Sequence, residues 1–306
     1  MTEPVYWLNG RCLPASQAAL PLNDHGVLYG DGIFEGIRFY HRRPFQLEQH
    51  LQRLQHSARA LMLSLPYSMM QIAGAIDEVI AAFDEAEGYI RLVVTRGAGS
   101  LGLDPARCEH PNLFILTEQL ALVSEAKRRT GIDLITASTR RPGPDVLDPR
   151  VKSLNYLNNI LARLEARQAG VDEALMLNGE GRVAEASAEN LFIVQNGVVS
   201  TPPVSDGALQ GITRGTLLKL GQETGLAMTE RSLTRYDVYT ADECFLSGTG
   251  AGIIPVRSLD GRLLAQSPGP ITQRLTNVYQ QRIEQQTLGA TAQASLATSR
   301  RSMDHV

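Results

Sequence analysis

The chain has 306 residues, 43% of them hydrophobic and 20% charged, with a net charge of −3. That is the composition of a soluble globular protein with room for one large domain or two ordinary ones, and without a basic stripe it excludes nucleic acid as a natural partner. The start, MTEPVYWLNG, lacks the basic and apolar runs of a secretory leader, and no window approaches the roughly 18 apolar residues of a membrane helix, so the expectation is a cytoplasmic protein with no membrane partner.

In chain order, VYWLNGRCLP reads as a hairpin around an Asn-Gly turn, and GIFEGIRFYHRRPFQL as a second. Phe34, Gly36, Arg38 and Tyr40 would share one strand face. Leu47, Leu51, Leu54, Ala58 and Leu61 recur at helical spacing, which predicts a helix with His50 and His56 on its surface. A further helix is expected over about 69–86, then strands at GYIRLVVTRG and PNLFILTEQLAL. The charged SEAKRRTG stretch reads as a link, giving an N-terminal domain over 1–122, a link over 123–130 and a C-terminal domain over 131–286. In the second half a strand at IDLITASTRR precedes a helix with Leu154, Leu157, Leu161 and Leu164 on one core-facing stripe and Gly170 as its stop. Strands at EALMLN, LFIVQNGVVSTP and ECFLSG, a helix at ITRGTLLKLGQETG and a last helix over about 270–286 follow. The polar tail from Thr287 onward reads as mobile, and the mixture suggests two α+β domains.

Several motifs point elsewhere only by letter. GAGSLG (Gly97–Gly102) matches a dinucleotide fingerprint, but Pro105 and Pro111 leave no room for the helix that would face a pyrophosphate. It reads as a glycine-rich loop, with a pocket-lining loop as its functional alternative. Pro255 likewise prevents a long helix after SGTGAGIIP. There is no P-loop, no G-x-S-x-G elbow and no H-E-x-x-H, and Cys12, Cys108 and Cys244 are too far apart for a metal knuckle, so no metal is expected and the cysteines read as reduced structural thiols.

Lysine is the informative residue type, because the chain has only Lys127, Lys152 and Lys219. Lys127 sits in a charge run and Lys219 beside core leucines, both as surface charges. Lys152 stands where a proline-punctuated loop enters an apolar helix. Burial there would free its amine as a nucleophile, although spacing alone serves equally well for a lysine snorkelling at a helix start. The rest of the sequence breaks the tie. Glu185, expected between two strands, can keep a pyridine nitrogen protonated. Gly211, Ile212 and Thr213 open a helix whose free N–H groups form an anion site. Thr249 lies among glycines that allow close backbone approach. Lysine, carboxylate and phosphate cradle together describe a pyridoxal 5′-phosphate site.

HGVLYGDGIFEGIR, HLQRL, KSLNYLNN, EASAENLF, GITR and SGTGAGIIPVRSLDG, in that order between about residues 5 and 285, resemble the class IV aminotransferases of PLP fold type IV, most of all the branched-chain amino acid aminotransferases. The resemblance implies a two-domain α+β fold like that of D-amino acid aminotransferase, with a smaller N-terminal α/β domain and a larger C-terminal pseudo-barrel. It also implies transamination between leucine, isoleucine or valine and 2-oxoglutarate through a lysine Schiff base. Lys152 would be the Schiff-base lysine and proton carrier, Glu185 the partner of the pyridine nitrogen and Tyr156 that of the phenolic oxygen. The phosphate would fall to Arg53, Gly211, Ile212, Thr213 and Thr249. Tyr29, Phe34, Gly36 and Arg38 match the first substrate strand of that family, and Tyr89 and Arg91 the second. Arg91 or Arg38 would meet the glutamate side-chain carboxylate, and the backbone at Thr249, Gly250 and Ala251 would take the α-carboxylate. A homodimer or larger assembly is implied, with GAGSLG capping a neighbour's pocket. Ala186 and Ala188 stand where the family pattern E-G-x-G-E-N has glycines, and the Lys152–Tyr156 spacing is one residue shorter than in the K-x-x-x-N-Y variant. D-amino acid and (R)-amine transaminases and aminodeoxychorismate lyase are the rivals within the fold. The first would carry an R-x-H pair that is absent, and the second would alter the strand that keeps Arg91.

Overall fold

A computed structural model describes residues 3–289. The first part of the chain runs β1 (Val5–Leu8), β2 (Arg11–Pro14), α1 (His25–Tyr29), β3 (Gly32–Tyr40), β4 (Arg43–Pro44), α2 (Leu47–Ala60), α3 (Met69–Ala82), β5 (Gly88–Thr95) and β6 (Asn112–Glu118). Its six strands form one antiparallel sheet in the order β2-β1-β6-β5-β3-β4. Alternation along the strands gives this sheet two different faces. Ile33, Ile37, Ile90, Leu92, Leu113 and Ile115 point to one side and are buried against Leu51, Leu54, Ile72 and Ile76 of α2 and α3. The other face carries Phe34, Gly36, Tyr89, Arg91, Val93, Leu116 and Glu118, and it forms a cavity wall. Helix α3 starts at a reciprocal cap between Ser68 and Gln71 and stops at Ala82, short of the 86 expected from sequence.

Residues 124–130, expected as a link, are capped by Ser124 and form a helix, α4 (Glu125–Thr130). The chain continues with β7 (Ile132–Thr136), α5 (Pro144–Leu147), α6 (Leu157–Gln168), β8 (Glu173–Leu177), β9 (Val183–Ala186), β10 (Asn190–Gln195), β11 (Val198–Thr201), α7 (Ile212–Glu223), β12 (Met228–Glu230), α8 (Arg235–Tyr239), β13 (Glu243–Gly248), β14 (Gly252–Leu259), β15 (Arg262–Leu263) and α9 (Pro270–Thr287). The second sheet has nine strands in the order β12-β11-β10-β13-β14-β7-β8-β9, with β15 on β14. Phe192, Val194 and Phe245 face Leu217 and Leu220 of α7 and Leu275, Tyr279 and Ile283 of α9. The mixed α+β architecture agrees with expectation. No helix among the described residues is long and apolar enough to cross a membrane. Thr287, read from sequence as the start of the tail, is the buried last residue of α9, and residues 290–306 lie outside the described part.

One expectation fails on α6. Leu157, Leu161 and Leu164 are not core but 66%, 46% and 45% exposed. The helix turns its small face inward instead, with Ala162 and Ala166 against Ala174 and Met176 of β8. Small side chains let a helix lie close to a sheet, and this contact displaces the leucines to the outside.

Candidate active site

The cavity between the two sheets has a volume of about 730 Å³. Lys152 lies in it, five residues before α6 begins, on an extended segment tied to the first sheet. Phe34 N–H donates to Lys152 O at 3.0 Å and Leu154 N–H to Gly32 O at 2.9 Å, so the segment pairs with the edge of β3. These backbone bonds hold the lysine, with Ser57 Oγ accepting from Lys152 N–H at 3.3 Å. Lys152 Nζ donates to Tyr156 Oη at 2.8 Å and lies 4.2 Å from the centre of the Phe34 ring. Burial, then the positive charge of Arg53, lowers the lysine to about 7 from its ordinary 10.5. The amine is therefore available unprotonated near neutral pH. Burial, reinforced by Glu185, raises Tyr156 and keeps it a phenol.

Glu185 lies on β9, a strand that sequence reasoning missed by placing Glu185 between strands. VAEA is buried at all four positions, so it lacks the alternation that marks a half-exposed strand. Glu185 pairs with Arg141 at 2.8 Å and accepts from Leu209 N–H at 2.9 Å and Asn190 Nδ2 at 3.2 Å. Burial outweighs these partners and raises its proton affinity. Arg141 also donates to Asn159 Oδ1 at 3.0 Å, while Asn159 Nδ2 donates to Ser187 O at 2.6 Å. Asn158 Nδ2 donates to Arg140 O and Asn155 Nδ2 to Gly30 O. The asparagines that follow Lys152 thus fasten the lysine and carboxylate segments to their surroundings.

Arg53 enters the cavity from α2, held by Glu35. Its Nε donates to Glu35 Oε1 at 2.8 Å and its Nη2 to Glu35 Oε2 at 2.7 Å. His50 Nδ1 reaches the same Oε2 at 2.7 Å, so His50 is buried inside the protein and only His56 is on the helix surface. Burial alone would raise Glu35, but Arg53 and His50 prevail and hold it at about 2. Burial lowers His50 and favours its neutral form. Glu35 was not anticipated, although a carboxylate amid the apolar run of GIFEGIRF signals a buried charge that needs partners.

Gly211 caps α7, whose first N–H groups have no acceptor within the helix, and Ile212 and Thr213 border the cavity beside it. A Cβ at Gly211 would collide with Asn190 Oδ1. Thr249, Gly250 and Ala251 form the turn between β13 and β14 and also line the cavity. Ser247, which sequence reasoning missed, lines the same wall, and its buried hydroxyl has no hydrogen-bond partner among the described residues. Glu189 lines it too; burial and the nearby Glu173 push its carboxyl up to about 8. The first sheet contributes Phe34, Gly36, Tyr89 and Arg91, and the Arg91 guanidinium lies 4.5 Å from the Phe34 ring centre. A Cβ at Gly36 would collide with the Tyr89 hydroxyl, so glycine there lets the Tyr89 ring lie across the strand.

Two expected substrate residues are not in this cavity. Arg38 lies about 13 Å along β3 from Phe34, and its Nη2 donates to Leu120 O at 2.8 Å and Gly250 O at 2.9 Å, behind the Thr249–Ala251 turn. Tyr29 belongs to α1, a short helix between an Asp24 cap and the left-handed Gly30, so it is not on the substrate strand. Its hydroxyl accepts from Gly102 N–H at 3.1 Å. It therefore sits with the GAGSLG loop, which opens no helix and lies away from this cavity, with Leu101 and Leu103 exposed.

A family model described as amino-transferase class IV matches residues 32–259. A putative branched-chain-amino-acid aminotransferase of Methanocaldococcus jannaschii is 45% identical over 275 residues, 89% of this chain and 94% of that protein. The branched-chain aminotransferase of Thermoproteus uzoniensis, solved with norvaline, superposes with a TM-score of 0.87 at 35% identity over 94% of this chain and 98% of its own. The Thermobaculum terrenum branched-chain amino acid aminotransferase, solved in its PLP form, superposes with a TM-score of 0.82 at 32% identity, covering 92% of this chain and 94% of its own.

Proposed function

Because the chain belongs to the class IV aminotransferases, we propose that it transfers amino groups between branched-chain L-amino acids and 2-oxoglutarate with pyridoxal 5′-phosphate bound in the 730 Å³ cavity. The observation that carries this reading is Lys152, an enclosed amine lowered to about 7 that shares its cavity with Glu185 and the N-terminus of α7. The residues present fit the cofactor. Ser247 offers a buried hydroxyl that needs a partner, and the start of α7 offers N–H groups with no acceptor in the helix and no side-chain cap. Arg53, Ile212, Thr213 and Thr249 would hold the phosphate, and Tyr156 the phenolic oxygen. Lys152 would be the Schiff-base lysine. When bound, pyridoxal phosphate supplies the conjugated electron sink that makes the amino-acid Cα–H acidic.

The protein's own contribution is proton control and orientation. Lys152 Nζ takes up and returns the proton, a task suited to an amine that titrates near the working pH. Glu185, buried in the cavity and held by Arg141, Leu209 N–H and Asn190, would be the partner of the ring nitrogen. Phe34, Val93 and Leu116 form an apolar wall for a branched side chain. Arg91, on the same wall, meets the second carboxylate of glutamate or 2-oxoglutarate. The Thr249–Ala251 backbone receives the α-carboxylate. The exposed apolar face of Leu157, Ile160, Leu161 and Leu164 favours a homodimer, with Tyr29 and the GAGSLG loop completing the neighbour's pocket.

The test is a panel of L-amino acids, D-amino acids and (R)-amines with 2-oxoglutarate. L-leucine and L-valine should be the fastest donors; D-alanine or an (R)-amine far ahead of both would overturn the assignment. Borohydride reduction should fix the cofactor on Lys152.

A further inference from the structure

The Thr249–Ala251 turn separates the main cavity from a second one of about 560 Å³. Gly250 and Ala251 line both, so the turn is a wall with a front and a back. Behind it stand two guanidinium groups from different parts of the chain. Arg38, from β3, donates to Gly250 O at 2.9 Å. Arg128, from α4, donates through Nη1 to Ala251 O at 2.9 Å. Consecutive carbonyls are thus each held by a cation from the rear. The Gly250–Ala251 peptide is trans, so its N–H points away from the carbonyl that Arg38 holds, toward the front. A cation on a peptide carbonyl also polarises the unit and strengthens its N–H as a donor.

Arg128 is otherwise lightly engaged. Its contact with Glu125 is 3.9 Å, at the limit of an ion pair, and 31% of its side chain is exposed. A surface charge on a short helix has no need to reach Ala251 O, so the bond points to a task at the turn. We propose that Arg128 is a positioning residue which, with Arg38, fixes the turn so that its N–H edge is presented to the substrate α-carboxylate. The inference rests on the reading above that this turn receives that carboxylate. It gives helix α4, between the two sheets, a part in substrate recognition.

The test compares two leucine fragments on the cofactor-loaded protein, 4-methylvalerate (the carboxylate without the amine) and 3-methylbutylamine (the amine without the carboxylate). Binding is read from the cofactor absorbance. Arg128→Ala should weaken 4-methylvalerate about fivefold, the size expected for one lost hydrogen bond. It should leave 3-methylbutylamine, cofactor affinity and melting temperature unchanged. Arg128→Lys, which can still donate to Ala251 O, should recover much of the loss. Equal affinity of wild type and Arg128→Ala for 4-methylvalerate would overturn the positioning role alone, and so would equal weakening of both fragments. A wild-type protein that binds the amine but not 4-methylvalerate would remove the carboxylate reading of the turn, and the inference with it.

Discussion

Replacing Glu35 by Gln tests the electrostatic frame of the site. Glu35 is fully buried, chelates Arg53 through two hydrogen bonds and accepts a third from His50. Its carboxyl falls from 4.5 to about 2 on folding. At 1.36 kcal/mol per pH unit this is worth about 3 kcal/mol, the lower end of the ~3–5 kcal/mol lost when one partner of a buried ion pair is removed. The sign follows from linkage: a carboxylate depressed in the folded state stabilises above its unfolded value, and the benefit is lost as pH falls from about 4.5 toward 2. Urea unfolding at pH 7 should therefore show Glu35→Gln less stable by about 3 kcal/mol. The difference should shrink on acidification through that window. A loss below about 1 kcal/mol at pH 7, the scale of an exposed pair, or a loss that does not vary with acid, would refute the reasoning.

Three further outcomes follow from the same geometry. In the cofactor-free protein, the acylation rate of Lys152, read by mass spectrometry, should climb as pH rises to about 7 and then level off; a rate still climbing steeply at pH 9 would contradict a buried, lowered amine. Gly36→Ala should push Tyr89 out of its place, costing about 1–3 kcal/mol of stability from overpacking and at least roughly tenfold in kcat/KM for leucine; unchanged kinetics would show that Tyr89 need not lie there. Arg91→Ala should weaken 2-oxoglutarate by roughly tenfold or more, the scale of a lost charged hydrogen bond, and 2-oxoisocaproate much less; equal losses would remove the assignment of Arg91 to the second carboxylate.

The sequence was most legible where local pattern decides structure. The hairpin around Asn9–Gly10, the amphipathic α2 and the glycine that ends α6 all follow from spacing and turn chemistry. It was least legible where a side chain's surroundings come from a distant segment. His50 sits on the helix predicted for it, yet faces inward because Glu35, 15 residues earlier, needs a partner there. The α6 leucines carry a helical stripe, but periodicity cannot say whether the core or another surface receives it, and the alanine face won the core. Arg141 pairs with Glu185, 44 positions further along the chain, and nothing in STRR announces it. Arg38 and Tyr29 show the limit of motif reading. Alternation put Arg38 on the correct face but not on the correct side of the turn, and the segment before Phe34 contains a helix that points Tyr29 away.

The reactivity of Lys152 comes from how its neighbours are paired. Of the cationic side chains in and beside the cavity, two own a carboxylate: Arg53 has Glu35, and Arg141 has the cavity-lining Glu185. Arg91 lies against the rings of Phe34 and Tyr89, as Lys152 lies against Phe34 and Tyr156. A guanidinium does not give up its proton under these conditions, which on the proposed reading suits Arg91 to meet a substrate carboxylate. An ammonium can, and Lys152, whose hydrogen-bond partner is a neutral phenol, does so when buried. The fold thus separates two roles that the same apolar wall would otherwise merge. On the proposed reading, Arg91 is the group for an incoming carboxylate and Lys152 is the base, because only the lysine can answer burial by losing its charge.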